Sequence, residues 1–420
     1  MPYSSFCFFF ALANLSGLAG LACPAKYRLL WIPSLITTSV LAFQRLSDIP
    51  ISVDAASTLG LFIIIWNAHV ISLVTVHHSD RVQFLMRQSR GEHEDTKKSF
   101  VLLPETQKEW HWKGAYKMLY NSRWIGSSIE VPGTRTAKVK PVEPAQRKKG
   151  SYPAISWHQY LEKYLISPRP TFMIIQIRRL LVIAAMTKFL SVILTNPQHQ
   201  AFQPLQIFDI NATHDSYFRR IGEVTARETT IRLITVFFFI WNAYANLTSL
   251  HAALSIIFVA LLRFDDPDEW PPLFGSLGKA VSIRRFWTGF WHSLAYRPYE
   301  AIAEVLTNTL LGLKKHGALH RPMKNLVIFM CSGISHALVA QQLLPCGARE
   351  EIWWFSVNFA AVVFEDIFGL IVKKAGLRPS GAGGKLVWRI GGYLWTLGFM
   401  FWSLPKVQYP QLRCTVGGEV

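Results

Sequence analysis

The chain has 420 residues, 50% of them hydrophobic and only 17% charged, a balance too apolar for an ordinary soluble enzyme of this size and usual for a polytopic membrane protein. Its formal charge of +18 lies mostly between the apolar runs, where cytoplasmic loops of membrane proteins gather Lys and Arg, so it predicts topology and no nucleic-acid partner. The five cysteines, Cys7, Cys23, Cys331, Cys346 and Cys414, show no C-x-x-C pair and no framework spacing; they read as structural thiols, with neither a zinc site nor a disulfide scaffold expected.

A helix that crosses the bilayer needs about 20 apolar residues, because the hydrocarbon core is about 30 Å thick and each residue rises about 1.5 Å. About eight runs qualify or nearly do. Residues 1–25 carry no charge before Lys26, and the lack of a basic region ahead of them favours a retained span over a cleaved signal. Residues 29–44 are flanked by Arg28 and Arg45, and residues 55–76 form a clean span. The run 174–195 is interrupted by Arg178, Arg179 and Lys188, whereas 233–262 is uncharged for 30 residues and must tilt, kink or continue beyond the bilayer. The runs 326–344, 352–372 and 386–404 complete an all-α, polytopic transmembrane bundle.

Charge orients it. Segment 79–173 holds 17 Lys and Arg against 9 Asp and Glu, and the link 373–385 holds four basic residues and no acidic one, so both are expected on the cytoplasmic side. Alternation then places 23–28 and 263–325 there too. Segments 47–54, 196–230 and 345–351 fall on the lumenal side, where Asn211-Ala212-Thr213 is a candidate glycosylation sequon. Within the cytoplasmic segment, 134–150 is a Pro- and Lys/Arg-rich linker or surface strap, and 110–131, with its interleaved tryptophans, suits an amphipathic element in the membrane interface. The resulting division is 1–78 as amino-terminal spans, 79–173 as a basic cytoplasmic segment, and 174–420 as the core.

Ionisable groups within spans are costly and mark candidate sites. His336 lies eleven residues into a span beginning near Asn325, about 16 Å deep. Ser332, Gly333 and Ser335 beside it are small enough for a helix or ligand to approach closely. An imidazole, with an ordinary pKa of about 6.5, suits a general base near neutral pH; the alternative is a histidine that hydrogen-bonds across helices. The acidic pair Glu365-Asp366 lies near the cytoplasmic end of its span and either orients His336 or binds an arginine of the preceding loop. Asn358 and His69 are expected to hydrogen-bond between helices.

Phe286-Trp287-Thr288-Gly289-Phe290-Trp291-His292 packs aromatic and imidazole rings directly behind Arg284 and Arg285. Followed by Ser332-Gly333-Ile334-Ser335-His336, it resembles the wax-synthase-like branch of the membrane-bound O-acyltransferases, in its fungal secondary-metabolite acetyltransferase type. Asn121-Ser122-Arg123-Trp124-Ile125-Gly126 resembles that branch's N-x-R-x-I-G element, with tryptophan at 124 where glycine is expected, and Glu365-Asp366 resembles its late acidic pair.

The resemblance implies a tunnelled bundle in which His336 is catalytic and His292 fills the polar end of the aromatic motif. Phe286, Trp287 and Trp291 would form a platform at the tunnel mouth, with Arg284 and Arg285 meeting the phosphates of an acyl-CoA. Ser332, Asn358, Glu365 and Asp366 would support the site. It further implies acetyl transfer from acetyl-CoA to a terpenoid or meroterpenoid hydroxyl in the endoplasmic reticulum, with acyl-CoA as co-substrate and no metal or other cofactor. A wax-ester synthase acting on long-chain alcohols is the alternative within the enzyme class. A proton-coupled transporter using His336, Glu365 and Asp366 is the alternative outside it.

Overall fold

The computed structural model describes residues 2–75, 83–85, 99–101, 112–125, 131, 168–194, 205–315, 317–344, 346–377 and 381–417. They are overwhelmingly helical, apart from an antiparallel ribbon of β1, Gln83–Leu85, and β2, Ser99–Val101. The expected linker at 134–150 lies outside the described residues. Contacts divide the chain into two units, one made of Met1–Val131, Pro204–Ile240 and Gly275–Val420, the other of Pro132–Gln203 and Trp241–Phe274.

In the first unit, α1 (Pro2–Ala22) packs against α2 (Ile32–Gln44). Ala13 and Leu21 of α1 join Trp66, Val70 and Leu73 of α3 (Val53–Thr75) and Ala115, Met118 and Leu119 of α4 (Trp112–Leu119) in one buried cluster. Spacings of three and four residues put those α4 side chains on one face, which packs into the protein while Trp112 and Tyr120 stay exposed. Trp66 Nε1 donates to the Leu119 carbonyl at 2.9 Å, and His69 Nε2 lies 2.8 Å from the Met118 carbonyl oxygen. His69 thus makes the hydrogen bond between helices that its position predicts.

The second unit holds α5 (Pro168–Leu194) and the latter part of α6 (Ala226–Ser255), which runs on into a wider π-helical turn, Ile256–Leu261. Trp241 Nε1 donates to Thr187 Oγ1 at 3.2 Å, and Arg169 pairs with Asp266 at 3.1 Å.

The remaining helices of the first unit carry the candidate site: α7 (Tyr296–Glu304), α8 (His320–Leu343), α9 (Ala348–Lys374), α10 (Gly381–Ser403) and α11 (Pro405–Gly417). Helices α8 and α9 form the most extensive helix pair. A Cβ at Gly333 would lie 3.0 Å from Cβ of Phe355, so the missing side chain is what lets these helices approach so closely. The turn between them ends on Gly347, whose φ of 97° lies in the left-handed region that glycine adopts freely.

Cys346 and Cys414, expected as free thiols, form a disulfide with Cα atoms 6.5 Å apart. Their separation of 68 residues carries no local signal; α11 brings them together by returning over the start of α9.

Five described helical segments are long and apolar enough to cross a membrane: Ser4–Ala22, Val53–Thr75, Ala226–Leu261, His320–Leu343 and Ala348–Lys374. They make the chain a helical integral membrane protein. Of the other expected spans, α2 has only 13 residues, α5 carries Arg178, Arg179 and Lys188, and α10 contains Lys385 and Arg389.

Candidate active site

Helix α8 starts at His320, five residues before the expected Asn325, because Pro322 falls in the first turn, where a missing N–H costs nothing. His336 is therefore seven residues from the helix end at Leu343, about 10 Å, and lies in the second half of the helix. Its ring lies against Phe355 of α9 with centroids 5.0 Å apart. Nδ1 is 4.0 Å from Oε2 of Glu351, and the His336 side chain keeps 37% of its surface accessible against 11% for Glu351. The other oxygen of Glu351 accepts from Gln411 Nε2 of α11 at 2.8 Å. Beside His336, Ser335 meets the Tyr299 hydroxyl at 2.6 Å, and Ser332 turns back to donate to the Ile328 carbonyl of its own helix.

The aromatic run is seated by the acidic pair. Glu365 accepts from the backbone N–H groups of Ile283 at 2.6 Å and Arg284 at 3.0 Å, and from Trp395 Nε1 at 2.7 Å. Its carboxylate thus satisfies amide donors at the start of the turn that leads into the motif. Asp366 pairs with Arg284 at 2.8 Å. Of the two expected roles for this pair, the arginine contact is the one present. Glu365 lies 14 residues beyond Glu351 along α9, about 21 Å at helical rise, so the pair does not orient His336.

Residues Phe286–Phe290 form a π-helical turn. Phe286 and Phe290 are buried. Trp287 packs edge-on against Phe329 of α8 and Trp354 of α9, and Trp291 stacks on Phe239 at 6.0 Å. The rings therefore pack as a seam between helices, with Phe286 and Phe290 inside it. Trp287 Nε1 donates to Oδ1 of the fully buried Asn358 at 2.9 Å, while Asn358 Nδ2 donates to the Trp354 carbonyl.

His292 follows the seam. Burial pushes its pKa down from 6.5 to about 3, and the nearby His336 imidazole and Arg123 guanidinium push the same way. His336 and Arg123 are therefore each close enough to His292 to act on it. Arg123 is presented by a loop braced by Asn121, whose Oδ1 accepts from Ile125 N–H at 2.8 Å and whose Nδ2 donates back to the Ile125 carbonyl. Trp124, at the position where glycine is expected, has a left-handed φ of 56° and is buried.

At the other end of α9, a cleft of about 810 Å³ is lined by Arg284, Arg285, Lys385 and Arg389 together with Glu365 and Asp366. Asn211 is exposed and accepts from the N–H groups of Thr213 and His214, apart from the site. Among the described residues no group of three His, Cys, Asp or Glu side chains could hold a metal ion.

Sequence reasoning missed Glu351, Gln411 and the reach of Arg123. Only Arg123 had a signal, its place in the N-x-R-x-I-G element.

Residues 270–357 match the model of the membrane bound O-acyl transferase family. Acetyltransferase aurG of Calcarisporium arbuscula is 29% identical over 48% of this chain and 50% of its own length. Acetyltransferase atnC of Arthrinium sp is 31% identical over 46% of this chain and 45% of its own length. Acetyltransferase ataH of Aspergillus terreus is 29% identical over 36% of this chain and 50% of its own length. The chain thus spans about half the length of the curated relatives it matches, and no solved structure matches it. The segment that resembles the membrane bound O-acyl transferase family runs from the aromatic seam through His336 to Glu351.

Proposed function

We propose that this protein is an O-acyltransferase that moves acetyl from acetyl-CoA to a hydroxyl of a terpenoid or meroterpenoid, within the endoplasmic reticulum membrane and in secondary-metabolite biosynthesis. The observation that carries the reading is the neighbourhood of His336 and His292, inside the family-matched segment, at one end of an aromatic seam whose other end borders a cationic cleft.

In this reading His336 takes the proton of the acceptor hydroxyl as its oxygen attacks the thioester carbonyl. The carbon–sulfur bond then breaks, and the proton passes from the imidazolium to the departing CoA thiolate. A positioned base of this kind contributes about 10² to 10⁴ in rate. His292, held neutral, donates its ring N–H to the carbonyl oxygen as negative charge builds there.

The phosphates of CoA bind Arg284 and Arg285, with Lys385 and Arg389 of α10 completing the cleft. The separation of about 21 Å along α9 between the cleft and Glu351 suits an elongated donor whose pantetheine arm runs between phosphates and sulfur. The lipophilic alcohol arrives through the bilayer.

Microsomes containing the protein, given acetyl-CoA or longer acyl-CoAs with terpene alcohols and fatty alcohols, test the reading. Acetyl ester of a terpene alcohol is expected, and His336→Ala abolishes it while leaving the protein inserted. Preference for long acyl chains and fatty alcohols overturns the acetyl assignment, and undiminished transfer by His336→Ala removes His336 from the chemistry.

A further inference from the structure

The start of α9 contains a carboxylate that the motifs leave unassigned. Glu351 lies three residues into the helix, buried, with its two oxygens facing different partners. Oε1 accepts from Gln411 Nε2 at 2.8 Å, and Oε2 faces Nδ1 of His336 at 4.0 Å. A single buried carboxylate therefore connects the carboxyl-terminal helix α11 to the imidazole of α8.

Two features seat Gln411. A Cβ at Gly347 would lie 2.7 Å from Cγ of Gln411, so only glycine leaves room for that side chain. The Cys346–Cys414 disulfide fixes α11 to the turn before α9, three residues beyond Gln411 on one side and five residues before Glu351 on the other. The covalent link and the hydrogen bond thus act on the same junction.

From this geometry we infer that Glu351 is a positioning residue for His336, held in place by Gln411 and anchored by the Cys346–Cys414 disulfide. It rests on the acyltransferase reading and gives one of that reading's residues its orientation. An imidazole has two nitrogens, and which one carries the proton is set by the partner of the other. A carboxylate oxygen on the Nδ1 side favours hydrogen on Nδ1 and leaves the lone pair on Nε2, the state a base needs. Separations of this kind commonly close to hydrogen-bond distance only when substrate is bound.

Glu351→Gln is the informative change. The new amide still offers an oxygen to Gln411 but can present N–H groups to Nδ1, which reverses the preferred tautomer at nearly constant shape. Microsomal kinetics are expected to show kcat lowered about 10- to 100-fold, by analogy with the carboxylates that orient metal-bound histidines, with KM for acetyl-CoA unchanged. Glu351→Asp, which keeps the acceptor, retains more activity than Glu351→Gln. Gln411→Leu, which frees the carboxylate without touching α9, lowers kcat by a smaller factor and covers the case in which Glu351→Gln fails to insert.

A second readout needs no turnover. Carbethoxylation of His336 by diethyl pyrocarbonate, followed by mass spectrometry of the intact membrane protein, reports how available the ring lone pair is. Slower modification of His336 in Glu351→Gln, with the Cys346–Cys414 bond intact, is expected. Wild-type kcat in Glu351→Gln, or unchanged modification of His336 in both Glu351→Gln and Gln411→Leu, overturns the inference. Failure of wild-type protein to acylate any alcohol overturns the acyltransferase reading alone, because the modification rates are measured independently.

Discussion

Nε1 of Trp287 donates to Oδ1 of Asn358 across 2.9 Å, and that bond ties the aromatic run to α9 midway between Glu351 and Glu365. Seven residues separate Asn358 from each carboxylate, about 10 Å of helix in either direction. A single helix thus organises three contacts in order, with the histidine neighbourhood at one end, the indole in the middle and the arginine cleft at the other.

Replacing Asn358 by leucine removes the acceptor and leaves the indole N–H without that partner inside a packed seam. The expected cost is about 1–3 kcal/mol, read as a lower Tm in detergent, together with reduced acyl transfer. An unchanged Tm would mean that the bond holds nothing in place.

The cleft predicts a split between binding and turnover. Arg285 is exposed, and Arg285→Glu reverses a charge where the phosphates are proposed to bind. A change of about 1 kcal/mol in a well-solvated site corresponds to roughly a fivefold rise in KM for acetyl-CoA, with kcat much less affected. High salt should narrow the gap between variant and wild type, since exposed charges are screened. A loss confined to kcat argues against this cleft as the donor's seat.

His292 makes a pH prediction with a definite sign. Its pKa falls from 6.5 to about 3 on folding, so the unfolded chain binds this proton more readily than the folded one. The stability it contributes is fully present above about pH 6.5 and declines as pH falls toward 3, by at most about 1.4 kcal/mol per pH unit. His292→Gln lacks the titrating group, so its Tm should fall less steeply than the wild type's between pH 6.5 and 4. Parallel Tm curves contradict the neutral, buried assignment.

Trp124 stores backbone strain. A non-glycine residue at a φ of 56° costs about 1–2 kcal/mol, which burial of the indole among Trp66, Met118 and Leu119 offsets. Trp124→Ala loses the burial and keeps the strain, for about 3–5 kcal/mol. Trp124→Gly loses the same burial but relieves the strain, so it should be the more stable of the two by about 1 kcal/mol. Thermal unfolding in detergent ranks them, and alanine above glycine contradicts the strained backbone.

The parts of the site that were legible in the sequence are local ones. His336 stands out because an ionisable group in an apolar run is conspicuous, and the aromatic run because seven consecutive positions carry it. Periodicity cannot tell a ring on an interface from a ring in a seam, so the burial of Phe286 and Phe290 had no sequence signal. Glu351 and Gln411 are 60 positions apart and the bridged cysteines 68; only the return of α11 joins them. Five of the expected spans coincide with helices long and apolar enough to cross a membrane; at α2, α5 and α10 a short length or basic residues within the helix leave hydropathy alone a weaker guide.

The disulfide gives the topology a direct test. Charge predicts that 196–230 and 345–351 share the lumenal side, and the structure joins these segments through one helix. Arg413 of α11 donates to the Ile210 carbonyl at 2.7 Å and pairs with Asp215 at 3.1 Å, while its neighbour Cys414 bonds Cys346. Asn211, exposed beside Ile210, therefore lies on the same face as the bridge. Disulfides persist in the oxidising lumen and are rare in the cytosol, so one orientation predicts both modifications. Protein from a eukaryotic host should show a glycosidase-sensitive mass shift that Asn211→Gln abolishes, and a Cys346–Cys414 cross-link in peptides prepared without reductant. A cross-link without glycan would leave the sequon unused, whereas reduced cysteines together with an unmodified Asn211 would put this face on the cytoplasmic side and invert the bundle.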